Sequence, residues 1–364
     1  MKRIVLFSLI IIGLVVAVGF ITLYSEGKFS TIFDAISGAT KSMKQDGNSL
    51  FHQTDVVSLK VGDLFISGEV EKEGAVSLNE FYKREVVIKE SVFDMDSGIV
   101  FIGAYRYIGY SLFDLLHPFN QNKKNKEAFK PAIDLYVIIE NELGESVSFS
   151  WSEIFHTNLP HQILIATEMA PIVPYRKEVD YRVSNNWKIV AANDLFSYRY
   201  LDNPSKITIH SFDKKNYEIH RRMKPLHSPN VNIVFESGRQ FSLEPDTNTA
   251  SYTRYYSSFY GMGMGFHSAP YFQGPMLTSV LRDSIDFFDE NWIKNGLVCC
   301  AGIDGYRAIY SYSELFNRTD QVSPILAVAF DIMDGGYYRI FHPSEFYADR
   351  SVKSLKEMYF FKEK

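Results

Sequence analysis

"KIVAANDLFSYRYL" (residues 188–201) returns later in the chain as "RIFHPSEFYADRSV" (residues 339–352). The two align without a gap, and Arg199 falls on Arg350. Working outward, "QILIATE" (residues 162–168) resembles "PILAVAF" (residues 324–330), and "SWSEIF" (residues 150–155) matches "SYSELF" (residues 311–316). Further upstream, "IGYSLFDLL" carries Gly109 and Leu112 where "QGPMLTSVL" carries Gly274 and Leu277. "VSLNEF" with Leu78 stands against "FSLEPD" with Leu243. Order and spacing agree throughout, so the body reads as two copies of one domain.

Period and breakers give each copy the same elements. "DLYVIIE" and "GLVCCAG" are apolar enough to be buried strands. "ESVSFSWS" and "YRAIYSYS" alternate and read as their hairpin partners, turning at Gly144 and Gly305. "SLFDLL" and "MLTSVL" read as short helices behind a glycine turn, and "PSKITIHSF" and "SLKEMYFF" as closing strands. The expected fold class is α+β, strand-rich, with the copies at residues 55–212 and 231–364. The polar stretch between them, residues 213–230, holds Pro225 and Pro229 and reads as a linker.

A length of 364 residues suits two domains better than one core. Hydrophobic residues make up 46% and charged residues 22%, which suits a folded chain. The net charge of −5, with no long basic run, argues against a nucleic-acid role. The only cysteines, Cys299 and Cys300, are adjacent, so a disulfide framework is excluded. No Walker A, G-x-S-x-G or dinucleotide fingerprint occurs, and "GMGMG" lacks a βαβ setting. The acidic pairs single out no catalytic dyad.

At the N-terminus, Lys2 and Arg3 precede an uncharged apolar run at residues 4–24, about the length that spans a bilayer. It lacks a good cleavage site and reads as an uncleaved signal anchor. Lys2 and Arg3 then stay in the cytoplasm, and the bulk of the chain lies outside it, periplasmic or extracellular. Residues 1–24 form the anchor, in contact with membrane lipid, and residues 25–54 a juxtamembrane segment.

The run of motifs in each copy, a G-x-x-L turn, a buried strand, S-E-[IL]-F, an ILA-type strand and a late Arg, resembles the molybdopterin-binding domain of sulfite-oxidase-type oxidoreductases. The resemblance spans about residues 59–361. In that family a Cys thiolate holds the metal, between the early strand region and the G-x-x-L turn. The corresponding windows, residues 79–108 and 244–273, contain no Cys. Cys299 and Cys300 fall later, on a strand that reads as buried core. The resemblance therefore implies the fold without its usual molybdopterin, and fold alone does not carry function.

"DAISGAT" (residues 34–40) resembles the flavinylation motif D-x-x-S-G-A-T of FMN-binding domains in Rnf- and Nqr-type exported flavoproteins. The resemblance implies that a flavin transferase attaches FMN through a phosphoester to Thr40. Asp34, Ser37, Gly38 and Ala39 would serve recognition by the transferase. A threonine hydroxyl needs such activation, which the transferase's metal supplies, and small residues let the chain enter a narrow cleft. A covalent link also keeps a soluble cofactor from being lost outside the cytoplasm. In those families the motif ends a sizeable folded domain, whereas here only residues 25–33 separate it from the anchor.

Three readings follow. The first is a membrane-anchored electron carrier rather than a stand-alone enzyme, with FMN on Thr40 and a membrane redox partner. The second is a cofactor-free ligand- or protein-binding module. The third is a molybdenum oxidoreductase with atypical ligands. "RYYSSFYGMGMGFHSAPYFQGP" (residues 254–275) reads as a long packed loop. Its Met and His residues suit copper and its rings, near Tyr255 and Tyr260, suit stacking on a planar ligand. His210 and His220 are placed to face each other across a hairpin, or to be surface and linker residues.

Overall fold

The computed structural model describes residues 51–174, 179–220, 222–244, 251–328 and 337–363. The apolar run at 4–24 and the motif at 34–40, with Asp34, Ser37, Gly38, Ala39 and Thr40, lie outside the described residues. Among the described residues no helix is long and apolar enough to cross a membrane. The architecture is strand-rich α+β, with short helices. Contacts divide the chain into two units, Met1–Thr54 with Ile172–Asp180, and Asp55–Pro171 with Tyr181–Lys364. In the first unit the described part is a short antiparallel ladder that sets Phe51 opposite Pro174 and Gln53 opposite Ile172.

The strands of the first half are β1 (Phe51–Gln53), β2 (Val57–Ser58), β3 (Phe65–Gly68), β4 (Gly74–Ala75), β5 (Arg84–Asp94), β6 (Gly98–Ser111), β7 (Leu135–Asn141), β8 (Ser146–Ser150), β9 (Ile163–Pro174), β10 (Lys188–Ala191), β11 (Leu201–Asp202) and β12 (Pro204–Ser211). Those of the second half are β13 (Val231–Phe235), β14 (Gln240–Leu243), β15 (Thr253–Tyr256), β16 (Phe259–Gly261), β17 (Gly265–Ser268), β18 (Tyr271–Gly274), β19 (Gly296–Gly302), β20 (Arg307–Ser311), β21 (Ile325–Val328), β22 (Tyr338–Phe341) and β23 (Leu355–Lys362). The helices are α1 (Leu112–Leu116), α2 (Trp151–Phe155), α3 (Leu277–Val280), α4 (Glu290–Asn295) and α5 (Tyr312–Phe316).

Two five-stranded sheets share one order, β4-β3-β12-β7-β8 and β14-β13-β23-β19-β20. In each, one early strand runs parallel to the last, β3 to β12 and β13 to β23. The other neighbours are antiparallel in both sheets. The sheet thus joins the start of each half to its end. β7 and β19 carry near-continuous apolar side chains because they are buried on both faces. Their hairpins turn at Gly144 (φ +79°) and Gly305 (φ +78°), in the left-handed region that a side chain disfavours.

The second layer differs between the halves. In the first it is one sheet containing the path β11-β10-β9-β6-β5. In the second, the described strands form separate ladders, β21 with β22, β15 with β18 and β16 with β17. The stretch at residues 254–275, read from sequence as a loop, is thus a nested pair of ladders with Tyr255 opposite Phe272 and Tyr260 opposite Phe266. Its aromatic residues are strand formers, and Gly265 (φ +72°) permits the tight turn between them.

The glycines of the G-x-x-L turns explain themselves. A Cβ at Gly109 would lie 2.0 Å from Ile165 O, and one at Gly274 would lie 2.0 Å from Leu326 O. Each glycine therefore lets its strand lie against the ILA-type strand. The contact also fixes the correspondence: Ile165 matches Leu326 and Ala166 matches Ala327, one residue away from the side-by-side reading of "QILIATE" and "PILAVAF". The S-x-x-E pattern closes as a capping box at both α2 and α5, where Ser150 and Ser311 accept from the backbone of Glu153 and Glu314.

Candidate functional site

The halves meet through reciprocal contacts. Leu195 N donates to Asn317 O at 2.7 Å, and Phe346 N donates to His156 O at 3.1 Å. Isolated bridges pair Asp194 with Arg318 and Thr157 with Glu345. In the repeat alignment each of these contacts is the mirror of the other, as across a two-fold axis.

Around this axis sit two buried arginines. The Arg199 guanidinium donates to Asp194 through Nε (2.8 Å) and Nη2 (2.7 Å), and to Glu153 through Nη1 (3.0 Å) and Nη2 (3.1 Å). Arg350 donates to Glu314 at 2.7 and 3.0 Å and to Glu345 at 2.8 Å. Each guanidinium also lies over an aromatic ring, Arg199 over Phe149 at 4.2 Å and Arg350 over Tyr310 at 3.7 Å. The late Arg of each copy thus holds the cap acid of its own helix, and Arg199 Nη1 reaches across to Ser311 Oγ at 3.3 Å.

Four carboxyls crowd the Arg199 and Arg350 guanidiniums in this cluster, and Arg318 adds its pull on Asp194 and Glu345. Burial pushes the Glu153 carboxyl up to about 7, against the pull of Arg199 and with repulsion from Glu314. Burial likewise pushes Glu345 up to about 8, with Arg350 opposing. Glu345 Oε2 is buried without a hydrogen-bond partner, which suits a carboxyl that keeps its proton. The two arginines with their carboxyls form an internal clamp.

A second place distinguishes the halves. On the first-half side, Tyr107 donates its hydroxyl to the buried Glu90. Burial raises the Glu90 carboxyl, with the Tyr107 hydrogen bond and the nearby Lys188 opposing. Strand register and the repeat alignment give the matching residues of the second half. Arg84 pairs with Gly109 as Thr253 pairs with Gly274. Tyr107 then corresponds to Phe272, Glu90 to Phe259 and Lys188 to Arg339. The Arg339 guanidinium lies over the rings of Phe259 (5.4 Å) and Phe272 (5.6 Å).

Beside Arg339 opens a cavity of about 440 Å³. Phe259, Tyr306, Leu226 and Ala348 give it apolar walls. His267, Lys353, Asp304 and Asp349 add polar groups to the lining. Asp349 Oδ2 accepts from Met262 N at 2.7 Å, and Tyr306 donates its hydroxyl to Asp349 O at 2.9 Å. The hairpin β16–β17 forms one wall and presents exposed Tyr260, Met264 and Phe266 beside it.

The residues do not fit a thiolate-held metal. Cys299 and Cys300 are fully buried on β19 and pack into different apolar clusters. Burial pushes both thiols up, away from the thiolate a soft metal needs. His210 does not face His220: its ring stacks on Tyr136 at 5.5 Å, while His220 is exposed beside Glu218 at 3.3 Å. β12 pairs with β3 and β7, so no hairpin joins the two histidines. In the stretch read as a linker, Lys215 and Tyr217 both donate to Glu357 at 2.5–2.7 Å.

The chain matches no protein-family model and no curated protein. Sequence reasoning did not single out Arg339 or Lys353, and it held Phe259 only as one ring of the stretch 254–275. The signal was present in the repeat itself, because the ungapped alignment sets Arg339 on Lys188 and the glycine offset sets Phe272 on Tyr107.

Proposed function

We propose that this protein is a membrane-anchored, extracytosolic flavoprotein that carries FMN covalently on Thr40 and works in electron transfer. The motif Asp34-Ala35-Ile36-Ser37-Gly38-Ala39-Thr40, close after the apolar run at residues 4–24, carries the reading. A flavin transferase makes the phosphoester, and a membrane redox partner supplies electrons. The flavin supplies the redox chemistry, and Thr40 Oγ1 supplies its attachment.

The body is read as two degenerate domains of the sulfite-oxidase type, serving as scaffold. Their common sheet order, the glycine contacts at Gly109 and Gly274 and the matched Arg199 and Arg350 support that reading. The buried thiols of Cys299 and Cys300 favour it over a molybdenum enzyme with atypical ligands.

Co-expression with a flavin transferase tests the reading. A denaturing gel is expected to show flavin fluorescence on the full-length band, and Thr40→Ala to abolish it. A dark wild-type band beside a flavinylated control protein contradicts it. The second reading, a binding module, gains support from the cavity beside Arg339 and is compatible with the first.

A further inference from the structure

We propose that the open edge of β6, residues 98–104, pairs antiparallel with the same edge of a second copy of this chain. The proposal stands apart from the flavin reading and rests on the sheet alone.

β5 flanks β6 from Gly98, opposite Asp94, to Gly109, opposite Arg84. On its other side β6 pairs with β9 only from Tyr105 to Ser111. Among the described residues no backbone partner takes that side of residues 98–104. The hydrogen bonds of β5 show which groups face it. Ser91 N donates to Ser197 Oγ at 3.3 Å, and Phe93 exchanges hydrogen bonds with the Tyr198 hydroxyl at 3.0 and 2.8 Å. Both residues thus turn their backbone groups away from β6. Their register partners, Phe101 and Ile99, turn theirs to the open edge.

Sheets protect an edge with charge, proline or a covering loop. The outer edge of β5 carries exposed Glu85 and Lys89, and the turn at residues 197–199 covers its end. Residues 98–104 hold no charge and no proline. Ile99 is 62% exposed, Phe101 52% and Ile102 43%. A run this apolar on open backbone calls for a strand to cover it.

Charge and symmetry select a second copy as that strand. A two-fold axis at Val100 sets Ile99 of one copy opposite Phe101 of the other, where the outward backbone groups meet. Lys89 sits opposite Ala104 in the β5–β6 register, and both Lys89 and Asp96 are exposed. The same axis brings the second copy's Asp96 to the far side of Ala104. The small Ala104 side chain leaves Lys89 a path to that carboxylate, once at each end of the pair. The acidic turn of one copy thus meets the basic end of its twin, and the match fixes the antiparallel direction.

Sedimentation of full-length protein in detergent is expected to show a dimer. Ile99→Lys is expected to weaken association by about ten-fold or more. Val87→Lys, which charges a 66% exposed position on β5, is expected to leave it unchanged. Val100→Cys sets a thiol on the axis, opposite itself and within disulfide reach. In oxidised membranes it is expected to form a disulfide dimer, whereas Met95→Cys, 86% exposed but far from the axis, is not. The native Cys299 and Cys300 are buried and stay silent. The cross-link decides the matter if Ile99→Lys does not fold. A monomeric wild type overturns the proposal. So does a dimer indifferent to Ile99→Lys, or a Val100→Cys chain no more cross-linked than Met95→Cys.

Discussion

The first half and the second half share one sheet order and one arginine arrangement, yet they differ in the side chains beside β10 and β22. In the first, Tyr107 and Glu90 satisfy each other beside Lys188. In the second, Phe259 and Phe272 flank Arg339. The clamp is common to both copies. The other place is where the copies carry different side chains, a tyrosine–glutamate hydrogen bond in one and two phenylalanine rings under an arginine in the other. Duplication thus leaves a comparison inside one chain, with each half a control for the other.

The clamp offers the largest effect. Arg199→Met and Arg350→Met each leave two buried carboxyls without their cation, and each is expected to cost about 3–5 kcal/mol. Arg199 bonds through Nε as well as both Nη atoms, whereas Arg350 Nε has no partner. Arg199→Met is therefore expected to be the more costly in urea unfolding. A neutral result for one arginine alone would break the equivalence of the halves.

The side chains that differ between the halves give the next effect. Tyr107→Phe strips the buried Glu90 of its donor, at an expected cost of about 1–3 kcal/mol, and Glu90→Gln in the same chain reduces the loss. Phe259→Leu trims a ring that faces the cavity and is expected to cost less than about 1.5 kcal/mol. Equal losses at the two sites, read from thermal melts, would mean that the second half is packed as tightly as the first.

The smallest effect is a slope. Glu345 is pushed from an ordinary 4.5 up to about 8 by burial. Between those values the folded protein keeps a proton that the unfolded chain has released. That contribution is fully present at low pH and is lost as pH rises through the window. Glu345→Gln, which carries no titrating proton, is expected to flatten the fall in melting temperature between mildly acidic and mildly alkaline buffer. An unchanged slope would show that Glu345 is ionised throughout.

Much of the fold is legible in the sequence because its signals are local. S-x-x-E before an apolar run gives the capping boxes at Ser150 and Ser311. Gly144 and Gly305 mark the hairpins, and the alternation around Cys299 and Cys300 sends them to different clusters. The nested ladders at residues 254–275 were obscured by their glycines and methionines, which read as loop composition. Across the clamp and the cavity the partners are far apart in sequence: Glu153 with Arg199, Glu314 with Arg350, Phe259 with Arg339. No local pattern names such pairs. Only the repeat carries that information, by setting Lys188 on Arg339 and Tyr107 on Phe272. The Thr40 motif is local again, and it is read from residue types alone.

Intact mass tests the central claim most directly. Full-length protein co-produced with a flavin transferase is predicted to gain the mass of one FMN phosphoester, mapped by peptide analysis to the fragment holding Thr40. Thr40→Ala is predicted to show the unmodified mass. An unmodified wild type beside a flavinylated control, or a flavin that persists in Thr40→Ala, would contradict it.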